Sequence, residues 1–233
     1  MKLTNKKILI VGGTSGFGKQ VALDAKKLDA KVTVIGHDFD RTKKFAEETD
    51  IAGIALNAQN KSDLENFFDD KNFDHIVSTL GGAMGGGFLD SSMELIRKTI
   101  EDKFFANLQL VKIAAKHLNK SGSMILTSGS GGHPYDASGA IIGNQAINTL
   151  VAGLGVELAP DKRINAVSPT WTPTGLWRDM SSEAVQKQVS DFSSGVPLKR
   201  VATIEEVASA YLYLMQNDFV TGQVLRVDGG VDL

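Results

Sequence analysis

The chain has 233 residues, enough for one domain with a full hydrophobic core. Hydrophobic residues make up 42% and charged residues 22%, the balance of a folded globular protein; a net charge of -2 leaves no global field to recruit nucleic acid or an anionic membrane. Cysteine is absent, which excludes disulfides, thiolate metal sites and cysteine nucleophiles and fits a reducing, cytoplasmic setting.

Residues 1–7 lead into a short apolar run at 8–11, too short for a signal peptide, and no segment reaches the ~20 apolar residues of a membrane span. From there, short β-branched runs alternate with helical periodicities. The first strand is expected at Lys7–Val11, and a helix over 18–28 follows it. Strands at 32–35 and 51–56 come next, then a helix over 62–68 and a strand at 75–78. A long helix is expected over 93–118, a strand at 123–127, and a second long helix over 146–158 whose periodicity reaches back to Ile141. A strand at 163–167, a helix over 204–215 and a strand at Val224–Val227 complete the chain. Apolar runs without alternation mark strands buried on both faces, and strand–helix alternation implies parallel pairing with right-handed crossovers. The expected architecture is α/β: a single-domain Rossmann fold over residues 1–233, with a seven-stranded parallel sheet and helices on both faces.

Between the first strand and its helix stands Gly12-Gly13-Thr14-Ser15-Gly16-Phe17-Gly18. Glycines let the backbone turn sharply and approach a diphosphate, and a helix N-terminus offers free N–H groups and partial positive charge. Gly12, Thr14, Ser15, Gly16, Phe17 and Gly18 are therefore candidate cofactor-binding residues. After the second strand come Gly36, His37 and Asp38, then Arg41 and Lys43. A basic cluster here suits a 2′-phosphate, so His37 and Arg41 favour NADP(H) over NAD(H). The same charges also serve simply to solvate the next helix, and Asp38 leaves NAD(H) open.

Together with blocks further along, these residues resemble the short-chain dehydrogenase/reductase family over nearly the whole chain. The glycine loop is similar to that family's T-G-x-x-x-G-x-G, with Val11 for the threonine. Asn57, with Ala58 beside it, stands where the family often has an aspartate that meets the adenine. Ser78-Thr79-Leu80-Gly81 stands for N-N-A-G, keeping only Gly81. Asn107 matches the helix asparagine, Ser128 the catalytic serine, and Pro169 and Thr174 the segment that holds the carboxamide. The resemblance implies a nicotinamide dinucleotide and hydride transfer.

One block is missing. The family's chemistry uses Tyr-x-x-x-Lys: the tyrosine exchanges a proton with the substrate oxygen, and the lysine one turn on binds the ribose and lowers the tyrosine pKa. Counting back from residues 157–160 puts Ala140 and Asn144 at these positions, and no lysine or arginine occurs between Lys120 and Lys162. Asn144 can bond a ribose hydroxyl but brings no charge. Tyr135 and His133, in the loop after Ser128, are candidate replacements as proton donors; ordinary loop packing explains them equally. Three readings follow: an oxidoreductase with an atypical site, an NADP(H)-binding sensor or partner subunit without turnover, or a protein whose pocket takes another small molecule while the dinucleotide is structural.

Specificity is expected in a lid over about 171–195, where Trp171, Leu176, Trp177 and Met180 supply an apolar face and Arg178 a cation. The glycine-dense loop at 81–87 and Phe88 form a second wall. Few charges in these loops suit a small, mainly apolar substrate. The four histidines show no metal-ligand spacing. The long helices, one of them rich in small residues, suit close helix contact, and the resemblance implies a homotetramer or homodimer.

Overall fold

The computed structural model describes residues 2–82 and 84–233; Met1, and Ala83 within the glycine-dense loop, lie outside them. Seven strands form one parallel sheet in the order β3-β2-β1-β4-β5-β6-β7. They are β1 (Lys7–Val11), β2 (Lys31–Gly36), β3 (Ala52–Ala55), β4 (Phe73–Ser78), β5 (Leu118–Thr127), β6 (Arg163–Pro169) and β7 (Val224–Val227). The order reverses direction between β1 and β4, which opens a crevice at the strands' carboxyl ends where ligands of such sheets bind. Ile8, Leu9, Ile10 and Val11 are all fully buried, as strands covered on both faces must be.

The helices are α1 (Gly16–Lys27), α2 (Phe39–Thr49), α3 (Lys61–Phe68), α4 (Met93–Ile100), α5 (Ala106–Ala114), α6 (Ser138–Glu157), α7 (Ser182–Gly195) and α8 (Ile204–Gln216). On one face of the sheet Leu64 and Phe68 of α3, Leu110 of α5, and Ile147 and Val151 of α6 share a core with Leu9, Ile76 and Leu126. On the other, Val21 and Ala25 of α1, Phe45 of α2, and Tyr211 and Leu214 of α8 pack on Ile8, Ile10, Val77 and Ile125.

Several elements differ from the sequence expectation, among them α2, which is not among the expected helices, and β5, which starts at Leu118 rather than 123. The long helix over 93–118 is interrupted by a π turn at Glu101–Phe105 and gives way to a 3-10 turn at Ala115–His117. The second long helix begins at Ser138, three residues before Ile141, because Ser138 and Gly139 are buried although such small residues mark no apolar stripe. That helix, with 20 residues and a mean hydropathy of 1.2 over an 18-residue stretch, is long and apolar enough to cross a bilayer by length and composition alone. Here it packs against α4 and β6, with Ile147 and Val151 in the core. The lid, for which the sequence predicts an apolar face and no regular element, contains the helix α7.

Candidate functional site

The loop after β1 is shaped by close backbone approach. Gly12 sits at φ +84, where L side chains are strained, and its N–H donates to Ile35 O of β2 at 2.9 Å. Gly18 leans on the same turn: a Cβ there would lie 2.6 Å from Gly12 O and 2.9 Å from Gly13 Cα. Ser15 caps α1 in extended conformation without a side-chain cap bond. α2, α3, α4, α7 and α8 are capped by a side chain, from Asp38, Asn60, Ser92, Ser181 and Thr203, whereas α5 and α6, like α1, are not. The first amides of α1 thus carry no side-chain cap, beside a cradle that any Cβ at Gly18 would fill. This donor set fits the diphosphate of a dinucleotide. Thr14 and Phe17 lie in the same turn.

The lid rests on this loop. Thr174 Cβ lies 3.3 Å from where a Cβ on Gly16 would be, and Thr174 Oγ1 accepts from Leu176 N. Arg178 Nη2 donates to Ser15 Oγ at 3.3 Å, so this cation is turned toward the phosphate loop. Trp171 is stacked between Trp177 at 5.6 Å and Phe192 of α7 at 5.3 Å, and the Trp177 indole N–H donates to Thr172 O. Leu176 is exposed. Pro169 ends β6, where its carbonyl accepts from Ser130 N.

On the β2–β3 side, His37 is exposed at the end of β2. Asp38 accepts from Arg41 N at 2.8 Å, and its other oxygen lies 3.7 Å from Arg41 Nη2. The carboxylate is thus engaged as a helix cap, and Arg41 stands beside it. Asn57 Oδ1 accepts from Gln59 N and Ala58 is buried, so Asn57 here shapes a turn.

On the β4–β5 side the structure gathers Ser78, Asn107, Ser128 and a lysine. Asn107 is fully buried; its Nδ2 donates to Lys103 O at 2.6 Å and to Leu80 O at 3.4 Å, and its Oδ1 accepts from Ser78 Oγ at 2.6 Å. In the π turn Ala106 N–H bonds Glu101 O, and the Asn107 amide takes up the carbonyl of Lys103. Ser128 Oγ donates to Asn148 Oδ1 at 2.6 Å, with Asn144 O at 3.1 Å. Its single proton is committed to α6, leaving its lone pairs as acceptors. The Asn144 side chain lies against Gly129: a Cβ there would be 2.6 Å from its Nδ2. Ala140 is half-buried one turn earlier.

His133 and Tyr135 stack on each other, ring centroids 5.1 Å apart and nearly coplanar, on an exposed loop. Tyr135 is 73% exposed, and among the described residues neither side chain bonds to Ser128 or Asn107. Backbone bonds tie this loop to the glycine-dense one, with Gly86 N–H on Asp136 O and Ser138 N–H on Gly86 O. Gly81 is at φ +127. Phe88 is about half exposed on that wall. The remaining buried phenol, Tyr211, bonds Thr127 Oγ1 at 2.7 Å, and burial pushes its pKa upward. It belongs to the core.

The residue that sequence reasoning missed is Lys103. Its side chain crosses from the π turn to α6 and the ends of β4 and β5, is 7% exposed, and its Nζ donates to Ser128 O at 3.3 Å. Burial alone pushes its pKa down to about 8. Its spacing four residues before Asn107 carries no signal by itself, because nothing in a linear pattern marks which face a π turn presents.

A family model described as enoyl-(acyl carrier protein) reductase matches residues 11–232. The short-chain dehydrogenase/reductase fsr5 of Gibberella fujikuroi is 30% identical, covering 98% of this chain and 95% of its own length. The carbonyl reductase family member 4 of Xenopus tropicalis is 27% identical over 96% of the chain and 97% of that protein. Among solved structures, a small-chain dehydrogenase in complex with NADPH shares 28% identity, with a TM-score of 0.83 and coverage of 97% and 98% of the two chains. The aldohexose dehydrogenase of Thermoplasma acidophilum superposes with a TM-score of 0.89, at 22% identity, over 99% of this chain and 95% of its own.

Proposed function

Because the chain belongs to the short-chain dehydrogenase/reductase family, we propose that it is an NADP(H)-dependent oxidoreductase acting on a small, mainly apolar carbonyl compound or activated alkene. The observation that carries this reading is the phosphate cradle: Gly12 and Gly18 close against each other beneath a helix N-terminus with no side-chain cap. When bound, the reduced nicotinamide supplies a hydride to an electrophilic carbon. The chain's own residues do the rest. Amides at the start of α1 hold phosphate oxygens, and Arg41 meets the 2′-phosphate while Asp38 is occupied as a cap. Arg178 ties the lid to the phosphate loop, and the stacked Trp171, Trp177 and Phe192 give the lid an apolar body that excludes water. Ser128 and Asn107 order the crevice in which the substrate is reduced.

Two features favour a second reading, a protein that binds NADP(H) as a sensor or partner subunit without turnover: Ala140 has no phenol, and the Ser128 hydroxyl proton is turned onto Asn148. Fluorescence titration with NADPH and NADH, followed by loss of reduced-nicotinamide absorbance against aldehydes, ketones and enones, separates them. Turnover of any of these supports the oxidoreductase. Tight NADPH binding with no turnover supports the sensor. No binding of either dinucleotide at millimolar concentration overturns both. The assembly we propose is a homodimer or homotetramer; small and apolar residues on the outer face of α6, including Ala152, Gly153 and the 78% exposed Val156, support it.

A further inference from the structure

An ammonium has three N–H donors, and burying it costs several kcal/mol unless acceptors or an anion compensate. Lys103 breaks that rule. It is 7% exposed, and its one hydrogen bond among the described residues is to Ser128 O at 3.3 Å. Among the described residues no carboxylate pairs with it, and those that line its stem and ammonium are neutral: Gly81 beyond β4, Ser128 beyond β5, and Gly143 on α6, a helix with no charged residue before Glu157. Of the acids of its own turn, Glu101 is exposed and Asp102 bonds Lys98 and Gln59, and burial is the only cause of the Lys103 pKa shift.

The path of this side chain is built. A Cβ on Gly143 would lie 2.9 Å from Lys103 Cγ, and one on Gly81 would lie 2.5 Å from Cδ and 3.2 Å from Nζ. Two glycines therefore leave a slot for the stem. The slot delivers Nζ to the carboxyl ends of β4 and β5, between Gly81 and Ser128 O, while the base of the stem passes Gly143, the residue that precedes Asn144 on α6. A π turn sets the direction, and such turns are frequent at functional sites. The glycine cradle marks the switch point between β1 and β4, with Arg41 and Asn57 on one side of it and Lys103 on the other.

We infer that Lys103, reaching in from the neighbouring helix, supplies the cation that α6 lacks at Asn144, and that its free N–H donors bind the ribose of the nicotinamide half of the dinucleotide. The inference rests on the proposed dinucleotide binding. It makes Lys103 a binding residue held at a cost in stability. Removing its charge should then leave the fold as stable or more stable and weaken the ligand, a pairing that a merely structural lysine does not produce.

The experiment uses the full chain, the variant Lys103→Met, and two probes: NADPH and adenosine 2′,5′-bisphosphate, which lacks the nicotinamide ribose. Lys103→Met is expected to melt at the same or higher temperature, to bind NADPH on the order of 10- to 100-fold more weakly, as for the loss of a charged hydrogen bond, and to bind the bisphosphate unchanged. A second measurement needs no mutation. NADPH affinity of the unaltered chain should fall as pH rises from about 7 to about 9, as the lysine loses its proton, while bisphosphate affinity should not follow. Unchanged NADPH affinity in Lys103→Met overturns the inference, as does a parallel loss for both probes. If the variant does not fold, a pH profile shared by the two probes overturns it alone. Failure of the unaltered chain to bind NADPH at all refutes the dinucleotide reading itself.

Discussion

Gly18→Ala tests the phosphate cradle at a single atom. Gly18 is helical, so alanine costs nothing in backbone conformation and brings its better helix propensity. The whole penalty is steric: the new Cβ would sit 2.6 Å from Gly12 O, 2.9 Å from Gly13 Cα and 3.0 Å from Gly12 C. All three are backbone atoms of a turn pinned by Gly12 and Gly13 N–H bonds to Ile35 O, so no rotamer relieves the clash. Overpacking of this kind costs about 1–3 kcal/mol. At about 2–4 °C per kcal/mol for a chain of this size, the melting temperature should fall by roughly 2–12 °C. Relief requires the start of α1 to move away from the loop, which pulls its amides off the phosphate position. NADPH affinity should fall by at least the tenfold that one charge-assisted bond is worth, about 1.4 kcal/mol. The control is Gly153→Ala, on the outer face of α6 with nothing of its own chain within 4 Å of the new Cβ; it should leave NADPH binding alone. Thermal melts and fluorescence titration of both variants decide the matter. A Gly18→Ala protein that melts and binds like the parent would refute the account of the loop.

Arg41→Ala should weaken NADPH by roughly 10- to 100-fold and NADH by little, because the Arg41 amide still bonds Asp38 and only the guanidinium is lost; equal losses for the two cofactors would remove Arg41 from the 2′-phosphate. His75 is buried on β4 with Nδ1 2.8 Å from Ser123 Oγ, and burial pushes its pKa down to about 4. The unfolded chain therefore takes up a proton near pH ~6.5 that the folded one refuses. The associated stability is fully present above ~6.5 and is lost as pH falls toward ~4, on the order of 3 kcal/mol. Urea midpoints across that range should drop steeply in the parent and less in His75→Gln; identical acid limbs would dismiss the assignment. Ala140→Tyr with Asn144→Lys should raise NADPH oxidation if the crevice is otherwise intact, read by initial rates on the same carbonyl panel; no gain would mean that the crevice has changed beyond those two positions.

The sheet was legible because its cause is local. Runs such as 7–11 and 163–167 carry their burial in their own composition, and all seven strands appear where those runs lie, with β5 longer at its start because Leu118 is already buried there. The start of α6 was not legible: Ser138, Gly139 and Gly143 face the interior, but small residues mark no apolar stripe. Lys103 was invisible for a different reason. A search for a lysine near Asn144 runs along α6, and α6 has none. The structure fills the gap across helices instead, and it does so with parts that are each ordinary in sequence: a glycine at 143, a glycine at 81 and a lysine four residues before Asn107. Only the π turn between α4 and α5, in which the Asn107 amide takes up the Lys103 carbonyl, turns that lysine toward Ser128 rather than toward solvent. Asn107 thereby acquires a physical reason to be where it is. It holds the backbone of the residue whose ammonium lies in the slot, so substituting Asn107 should disturb Lys103 before anything else in the crevice. Asn107→Asp, nearly isosteric, would test that ordering: its carboxylate no longer donates to Lys103 O and puts a negative charge on α5 beside the π turn, so the Lys103 pKa should rise toward its ordinary value of about 10.4. Lysine Nζ titration followed by NMR in the two proteins reads that shift, and a Lys103 titration unchanged by the substitution would separate the two residues.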